Sequence, residues 1–414
     1  MPAAATAADV LPLSRTVAPV DQTELADVLR QAYETGTAVY PIGGGTSMEY
    51  GLTARQQGWG VSLAALNRVV DYPARDMTIT VEAGISMAAL SETLAAERQR
   101  LPIDAAQPDA ATLGGVVATN FSGPRRFSRG TVRDYVIGIS AVDGRGVPFK
   151  GGGRVVKNVA GYDFCKLLTG SLGTLGVISQ ITLKVVPIPE ASRLLECAPV
   201  DFDHAERLLA ALVASRTAPT AIELLAGPAW GKELTLLVGL EGTAAEVQWM
   251  AGQLHKEWAE QGIRDARSLS DQEEVAMWRR LTEFPSASGE DAAAGGFVLK
   301  AGVKPSAALR FMQEVWAVDP RASLLTHAGN GIVLVRCPVL KPAEIARTMI
   351  QRMQPAAAAC GGNAIVLAAP EGSDLTRQAV WGTVGNDAGL MRAVKQQFDP
   401  SGLLNPGRFV YGAG

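Results

Sequence analysis

Three glycine-rich stretches in the first half of the chain limit its fold more than anything else. They are "PIGGGTSMEYG" from Pro41 to Gly51, "QPDAATLGGVVATNFSGPRR" from Gln107 to Arg126, and "TGSLGTLGVISQ" from Thr169 to Gln180. Glycine lets a backbone turn where other residues cannot, and it lets main-chain N–H groups converge on an anion with no side chain in the way. Taken alone, Gly43-Gly44-Gly45 reads equally as a tight surface turn or as a phosphate cradle, to which Thr46 and Ser47 add hydroxyl donors. In the second stretch, Leu113-Gly114-Gly115-Val116-Val117 places small residues where a helix should begin. Such a start offers free N–H groups and the positive end of the helix dipole to a pyrophosphate. In the third stretch the glycines precede a strand. Three such loops in one domain point to a long, extended, phosphate-bearing ligand.

Other chemistries find little support. There is no GxxxxGK[ST], no GxGxxG, no GxSxG and no HExxH, which argues against P-loop, Rossmann, serine-hydrolase and zincin sites. The four cysteines, Cys165, Cys197, Cys337 and Cys360, are scattered without a CxxC, and only three histidines occur: His204, His255 and His327. Neither a zinc nor an iron–sulfur site is expected, no metal is assigned, and nothing demands disulfides, which suits a reducing compartment. A net charge of −3 offers nucleic acid no overall attraction. Phe121–Lys166 is locally basic, with nine Lys/Arg against three Asp, and reads either as a solvated face or as a surface for an anionic ligand or partner. The opening "MPAAATAADVLPLSR" lacks the basic and apolar regions of a signal peptide, and no run of about 18 apolar residues suggests a membrane span. The expected location is the cytoplasm, with any attachment to the inner membrane made through partner subunits.

A chain of 414 residues implies about two domains. "DQTELADVLRQAYETG" predicts a helix, with Asp21 and Glu24 in a capping-box pattern, Leu25, Val28, Leu29 and Ala32 on one face, and Gly36 as its stop. "TAVYPIGGG" predicts a strand entering the first glycine turn. "MTITVEAG" is β-rich, and "SMAALSETLAAERQR" is a helix that Ser86 could cap. "YVIGISAVDGRGVPF" predicts a hairpin turning near Asp143-Gly144, and "LGVISQITLKVVPIP" a long strand closed by Pro187 and Pro189. That proline pair marks a domain boundary. Beyond it, helices near Ala205–Ser215, Ala244–Gln261 and Pro305–Val318 alternate with strands "KELTLLVGL", "GFVLKAGV", "GIVLVRCP" and "NAIVLAA". "SLSDQEEV" and "FPSASGEDAAAGG" are expected as loops, and a last helix near Leu390–Phe398 leads into "FDPSGLLNPGRF". The pattern is α+β throughout, with domains at residues 1–189 and 190–389 and a closing segment at 390–414.

The ordered set "PIGGGTS", "VEAG", "QPDAATLGGVVATN", "VRDYVIGISAVDGRG" and "GSLGTLGVI" resembles the FAD-binding domain of the vanillyl-alcohol oxidase, or PCMH, type over roughly Leu11–Pro189. "FDPSGLLNPGRF" resembles the C-terminal tail of FAD-linked oxidases. "GGRVVKNVAGYDFCKLLTGSLGTLGVI" is similar to the FAD-binding subunits of bacterial glycolate oxidases, complexes that also hold a catalytic flavin subunit and an iron–sulfur subunit. The resemblance implies a two-subdomain FAD-binding domain, an α+β cap and a tail returning to the flavin. It also implies roles. Ile42, Gly43, Gly44, Gly45, Thr46 and Ser47 would hold the pyrophosphate, and Pro108, Thr112, Leu113, Gly114 and Gly115 would line its path. Ala118, Thr119, Asn120, Ser122 and Gly123 would lie nearer the flavin ring. Gly130, Val132, Arg133 and Asp134 would continue the pocket. Gly173, Thr174, Gly176, Val177 and Ile178 would meet ribose or adenine, and Asn405 and Arg408 would come back from the tail. Arg125, Arg126 and Arg133 are candidates for a cationic setting near flavin N1, or else for binding phosphate or a partner surface.

Two departures from the family pattern bear on function. Some relatives bond FAD through a histidine in or near the first or second glycine loop. Here Ser47 and Met48 follow the glycines, and no histidine precedes His204, so non-covalent FAD is expected. Related 2-hydroxy-acid dehydrogenases carry a stretch like "HAGDGNLH" that supplies metal ligands; this chain reads "HAGNGIVLV" from His327 to Val335. One imidazole makes a poor metal site. The expected function is the FAD-binding subunit of a glycolate (2-hydroxy-acid) oxidase complex, relaying electrons to an iron–sulfur partner. The alternatives are an autonomous FAD-dependent 2-hydroxy-acid dehydrogenase, for which Lys157, Asn158, Tyr162 and His327 are candidate catalytic residues, and an assembly subunit whose FAD is structural or absent.

Overall fold

The structure is a computed structural model that describes residues 10–153, 161–231, 234–286, 297–338, 340–373, 375–383 and 385–410. The chain divides into two units. One comprises Met1–Ser122, Gly130–Ile188 and Thr383–Gly414, and the other Gly123–Arg129 and Pro189–Gly382.

In the first unit, β1 (Leu13–Val17), β2 (Ala38–Ile42) and β3 (Gly58–Ser62) form a parallel sheet in the order β1-β3-β2. Parallel strands need a crossover, and α1 (Gln22–Thr35) carries the chain from β1 to β2. The Asp21 carboxylate accepts the Thr23 and Glu24 N–H groups, Leu25, Leu29 and Ala32 are buried, and Gly36 ends the helix at φ 64°. The sequence pattern holds with one change: Glu24 accepts from the Val20 N–H (3.1 Å) rather than from its capping residue.

The unit's second sheet is antiparallel. It is built from β4 (Val69–Asp71), β5 (Thr78–Glu82), β7 (Val136–Val142), β8 (Pro148–Gly152) and β9 (Val177–Lys184) in the order β4-β5-β9-β7-β8. β6 (Gln99–Arg100) and β10 (Val186–Pro187) pair separately. The β7–β8 hairpin turns where expected, with the Asp143 carboxylate accepting the N–H groups of Arg145 and Val147 (2.9 Å each). Ser86 caps α2 (Met87–Ala95), and Thr112 caps α3 (Leu113–Thr119). Leu113, Val116 and Val117 of α3 share one core with Ile79, Val81, Ile139 and Ile181 of the sheet. Burial of that apolar face, rather than its seven residues of helix, keeps so short an element in place.

Among the described residues, the second unit is built on an eight-stranded antiparallel sheet. Its strands are β11 (Ala191–Cys197), β12 (Ala221–Ala226), β13 (Thr235–Gly242), β14 (Arg267–Ser268), β15 (Phe297–Gly302), β16 (Ser323–His327), β17 (Ile332–Cys337) and β18 (Asn363–Ala368), ordered β14-β11-β13-β12-β16-β17-β15-β18. Helices Phe202–Ala214, Ala244–Glu260 and Ala308–Val318 bury Leu208, Leu254, Trp258, Phe311 and Val315 against Leu236, Val238, Leu299 and Val335. One expectation fails: much of "SLSDQEEV" is not a loop but the first turns of helix Asp271–Glu283. Ser270 and Glu273 form a capping box, a sequence signal that was present and that outweighs the stretch's polarity. Of the expected loop Phe284–Gly296, residues 287–296 lie outside the described residues.

Candidate functional site

Within the first unit, the three glycine loops and the C-terminal tail converge on one cleft of about 840 Å³, counting its open mouth. Its wall holds Gly43, Gly44, Gly45, Thr46 and Ser47 after β2. From the start of α3 come Thr112, Gly114, Gly115, Ala118 and Thr119. Gly173, Gly176, Val177 and Ile178 come from the third loop and the start of β9, and Asn405 and Arg408 from the tail.

Each glycine of the first loop is needed for its own reason. A Cβ on Gly43 would overlap the Thr112 hydroxyl, and one on Gly44 would overlap the Ala110 carbonyl; Gly45 has open space but φ +75°. Two glycines therefore let the first loop nest against the second, and the third supplies the turn. Among the described residues, none of the N–H groups from Gly43 to Thr46 donates to a main-chain carbonyl. Their residues line the cleft, and unspent main-chain N–H groups are what an anion-binding nest requires.

The start of α3 does not play the part its sequence suggested. Leu113 N–H donates to Ile85 O (2.9 Å), Gly114 N–H to Ala83 O (2.7 Å) and Gly115 N–H to Thr112 Oγ1 (3.3 Å). Those donors are spent inside the fold, and a Cβ on Gly114 would lie 2.8 Å from the Ala83 carbonyl oxygen. The small residues here serve close packing of α3 on the strand-end at Ala83. The unspent donors belong to the first loop.

Arg408 is 5% exposed, and burial pulls its guanidinium down to about 10, with Tyr40 and Glu49 pulling the other way. It donates to the carbonyls of Leu52 (2.9 Å) and Met48, and among the described residues no carboxylate forms a salt bridge with it. A buried cation held by neutral carbonyls beside a cleft favours an anionic occupant. The tail that carries it is stitched to β2 by Val39 N–H to Leu403 O and Asn405 N–H to Val39 O (2.8 Å each). Asn405 Nδ2 donates to Leu172 O (2.6 Å) in the third loop.

Other sequence-derived candidates lie off this wall. Ile42, Leu113 and Val132 are buried in cores. Thr174 donates its hydroxyl to Ser171 O (2.6 Å) inside its own turn. The Pro108 carbonyl accepts Ala88 N–H (2.9 Å) at α2, and Asn120 ends α3 at φ 52°. Asp134 accepts from Thr131 N–H (2.8 Å), beside Gly130 at φ 79°. Ser122 and the exposed Arg133 are not on the wall either, and Gly123 belongs to the second unit. Arg125 and Arg129 are engaged elsewhere. Both grip the buried Glu241 carboxylate (2.8 and 3.1 Å), and Arg125 lies 4.0 Å over Trp278, all within the second unit. Arg126 belongs to the same segment. Part of the basic run is thus internal pairing. Sequence reasoning missed Pro41, Met48, Tyr50, Leu63 and Leu172 on the wall. Continuing past the glycine run would have found Met48 and Tyr50. Leu63 follows β3, whose pairing with β2 is a tertiary fact, and Leu172 sits at φ 52° with no local signal.

Of the candidate catalytic residues, Lys157 and Asn158 lie outside the described residues. Tyr162 is 83% exposed. In the second unit, His327 is 2% exposed, and its Nδ1 lies 2.6 Å from Glu223 Oε2 across the β12–β16 ladder. Among the described residues, no group of three or more His, Cys, Asp or Glu could hold a metal ion, and no helix is long and apolar enough to cross a membrane.

Fold and cleft together define an α+β protein with a glycine-lined cleft suited to an extended anionic ligand. Comparison with known proteins makes this specific. Residues 13–151 match the family described as "FAD binding domain", and residues 382–409 match "FAD linked oxidases, C-terminal domain". The chain is an FAD-linked oxidoreductase with a PCMH-type FAD-binding domain, and its cofactor is FAD. It is 29% identical to a D-2-hydroxyglutarate dehydrogenase of Xanthomonas citri, over 93% of this chain and 86% of that one. It is 26% identical to glycolate oxidase subunit GlcD of Bacillus subtilis, over 95% and 88%. It is 41% identical to glycolate oxidase subunit GlcE of Escherichia coli, over 30% and 36%. A solved alkyldihydroxyacetonephosphate synthase shares the fold at a TM-score of 0.70 and 18% identity, over 95% of this chain and 77% of that one. The cleft suits FAD: free N–H groups and a buried arginine with no salt bridge among the described residues match an anionic pyrophosphate, and apolar Leu63, Val177 and Ile178 suit rings.

Proposed function

We propose that this chain is the FAD-binding subunit of a glycolate (2-hydroxy-acid) oxidase complex. In this reading it takes electrons from a catalytic flavin subunit and passes them to an iron–sulfur subunit. The observation that carries the reading is the state of His327. Its ring is buried in the β12–β16 ladder and committed to Glu223, with no cluster of ligands around it among the described residues. In this reading His327 is a structural histidine rather than part of an open site for a carboxylate substrate. The likeness to a relative named as glycolate oxidase subunit GlcE supports the same reading.

FAD supplies the redox chemistry when bound. In this reading the chain holds the pyrophosphate on the Gly43–Thr46 N–H groups, balances its charge with Arg408, and closes the wall with the third loop. The site residues off the wall, from Pro108 to Asp134, would then act by shaping these loops. We assign a non-covalent attachment, because Thr46, Ser47 and Met48 follow the glycines and no described histidine lines the cleft. A second reading, an autonomous 2-hydroxy-acid dehydrogenase, is favoured by the near full-length match to a relative of that kind. One experiment separates them. The purified chain, loaded with FAD, is mixed anaerobically with glycolate or D-lactate and its visible flavin absorbance followed. Bleaching only after the partner flavin subunit is added is the expected outcome. Bleaching by the isolated chain would establish the autonomous enzyme instead.

A further inference from the structure

We infer that Lys395 is a positioning residue for the cofactor cleft: its ammonium fixes the spacing between the third glycine loop and the tail that delivers Asn405 and Arg408. The inference rests on the FAD reading of the cleft and adds a residue that does not itself line it. Lys395 lies in helix Ala388–Phe398, and its Nζ reaches three acceptors: Asp399 Oδ2 (2.6 Å), Thr174 O (2.7 Å) and Leu404 O (3.3 Å). An ammonium has three protons, so all are used. Nζ also lies 5.7 Å from the centre of the Phe409 ring. Leu404 immediately precedes Asn405 and Phe409 immediately follows Arg408, so one cation brackets the tail residues that line the cleft. Thr174 sits between Gly173 and Gly176 on the facing wall.

The cation is itself held firmly. Asp399 is 1% exposed, and its carboxylate accepts the Leu403 and Leu404 N–H groups (3.0 and 2.8 Å), which folds the "DPSGLL" turn back on the helix. The base of the turn sits against the β7–β8 hairpin, where Gly144 N–H donates to Phe398 O (2.9 Å). A Cβ on Gly144 would lie 2.6 Å from Asp399 Oδ1. Helix, turn, hairpin and third loop therefore meet at one buried ion pair. Burial pulls the Lys395 ammonium below the ordinary lysine range, and Asp399 opposes this.

Lysine suits this position because its three protons diverge towards three separate acceptors. The planar fork of arginine keeps the charge but cannot reproduce that geometry. The test compares K395R, K395M and the exposed helix control L390A, measuring FAD affinity of the apo protein by flavin fluorescence and thermal midpoint without FAD. K395R is expected to keep its midpoint within a few degrees and to weaken FAD binding about tenfold. L390A should change neither. An unchanged FAD affinity in folded K395R would overturn the inference, as would a loss in L390A equal to that in K395R. Failure of the wild type to bind FAD would instead remove the cofactor reading. If the variants do not fold, hydrogen exchange on the wild type decides. FAD should protect peptides spanning 170–178 and 400–410 together, and protection of only one of the two overturns the inference.

Discussion

Gly43, Gly44 and Gly45 look interchangeable in the sequence and are not. Gly44 faces the Ala110 carbonyl and has no room for a methyl, whereas Gly45 has room but a left-handed backbone. Gly44→Ala must therefore push the first loop off the second. It should cost about 1–3 kcal/mol as overpacking and abolish measurable FAD binding. Gly45→Ala should cost about 1–2 kcal/mol for its positive φ and weaken binding less. Thermal melts with flavin fluorescence titrations of both variants check the order; equal losses would mean that loop nesting is not what the glycines provide. The glycine run was legible because glycine has a local meaning. Which glycine packs and which turns was not, since that depends on residues more than sixty positions away.

At the scale of elements, α3 is the instructive case. Its small residues read as a helix start with free donors. The structure spends those donors on Ile85, Ala83 and the Thr112 hydroxyl. Thr112 is both the N-cap of α3 and the neighbour of Gly43, so Thr112→Val should lower stability by about 1 kcal/mol through the lost cap. FAD affinity should fall with it. A denaturant midpoint unchanged from wild type would show that the cap contributes nothing. Periodicity, caps and the hairpin turn were readable because each is set within a few residues. The helix at Asp271 was readable too, by its Ser270–Glu273 box, which prevails over the polar composition around it. The pairing of β2 with the tail at Val39–Leu404 had no local trace, because its partners are far apart in the chain.

At the scale of the whole molecule, the second unit buries charge as well as apolar surface. Burial in β15 and the nearby Arg126 guanidinium pull Lys300 down to about 8 from an ordinary 10.5. The unfolded chain therefore binds this proton more tightly than the folded one. Between those two values folding stability should rise with pH, and below them the lysine is a burden. Lys300→Met should remove that rise and increase stability at neutral pH, as read from urea midpoints across the window. Parallel curves for the two proteins would show that the lysine is effectively solvated. The same unit commits His327 to Glu223, which is why the proposed division of labour places substrate oxidation on a partner subunit.

Residue type and motif order are enough to establish that this chain is α+β and that its cofactor is FAD. Those conclusions depend on residue type and order, which a chain carries without folding. The tertiary structure alone decided which N–H groups stay free, which arginine is buried with no salt bridge among the described residues, and that Lys395 ties the tail to the third loop. Each of these is a balance of donors, acceptors and charges contributed by distant segments, and it exists only once the segments have been brought together.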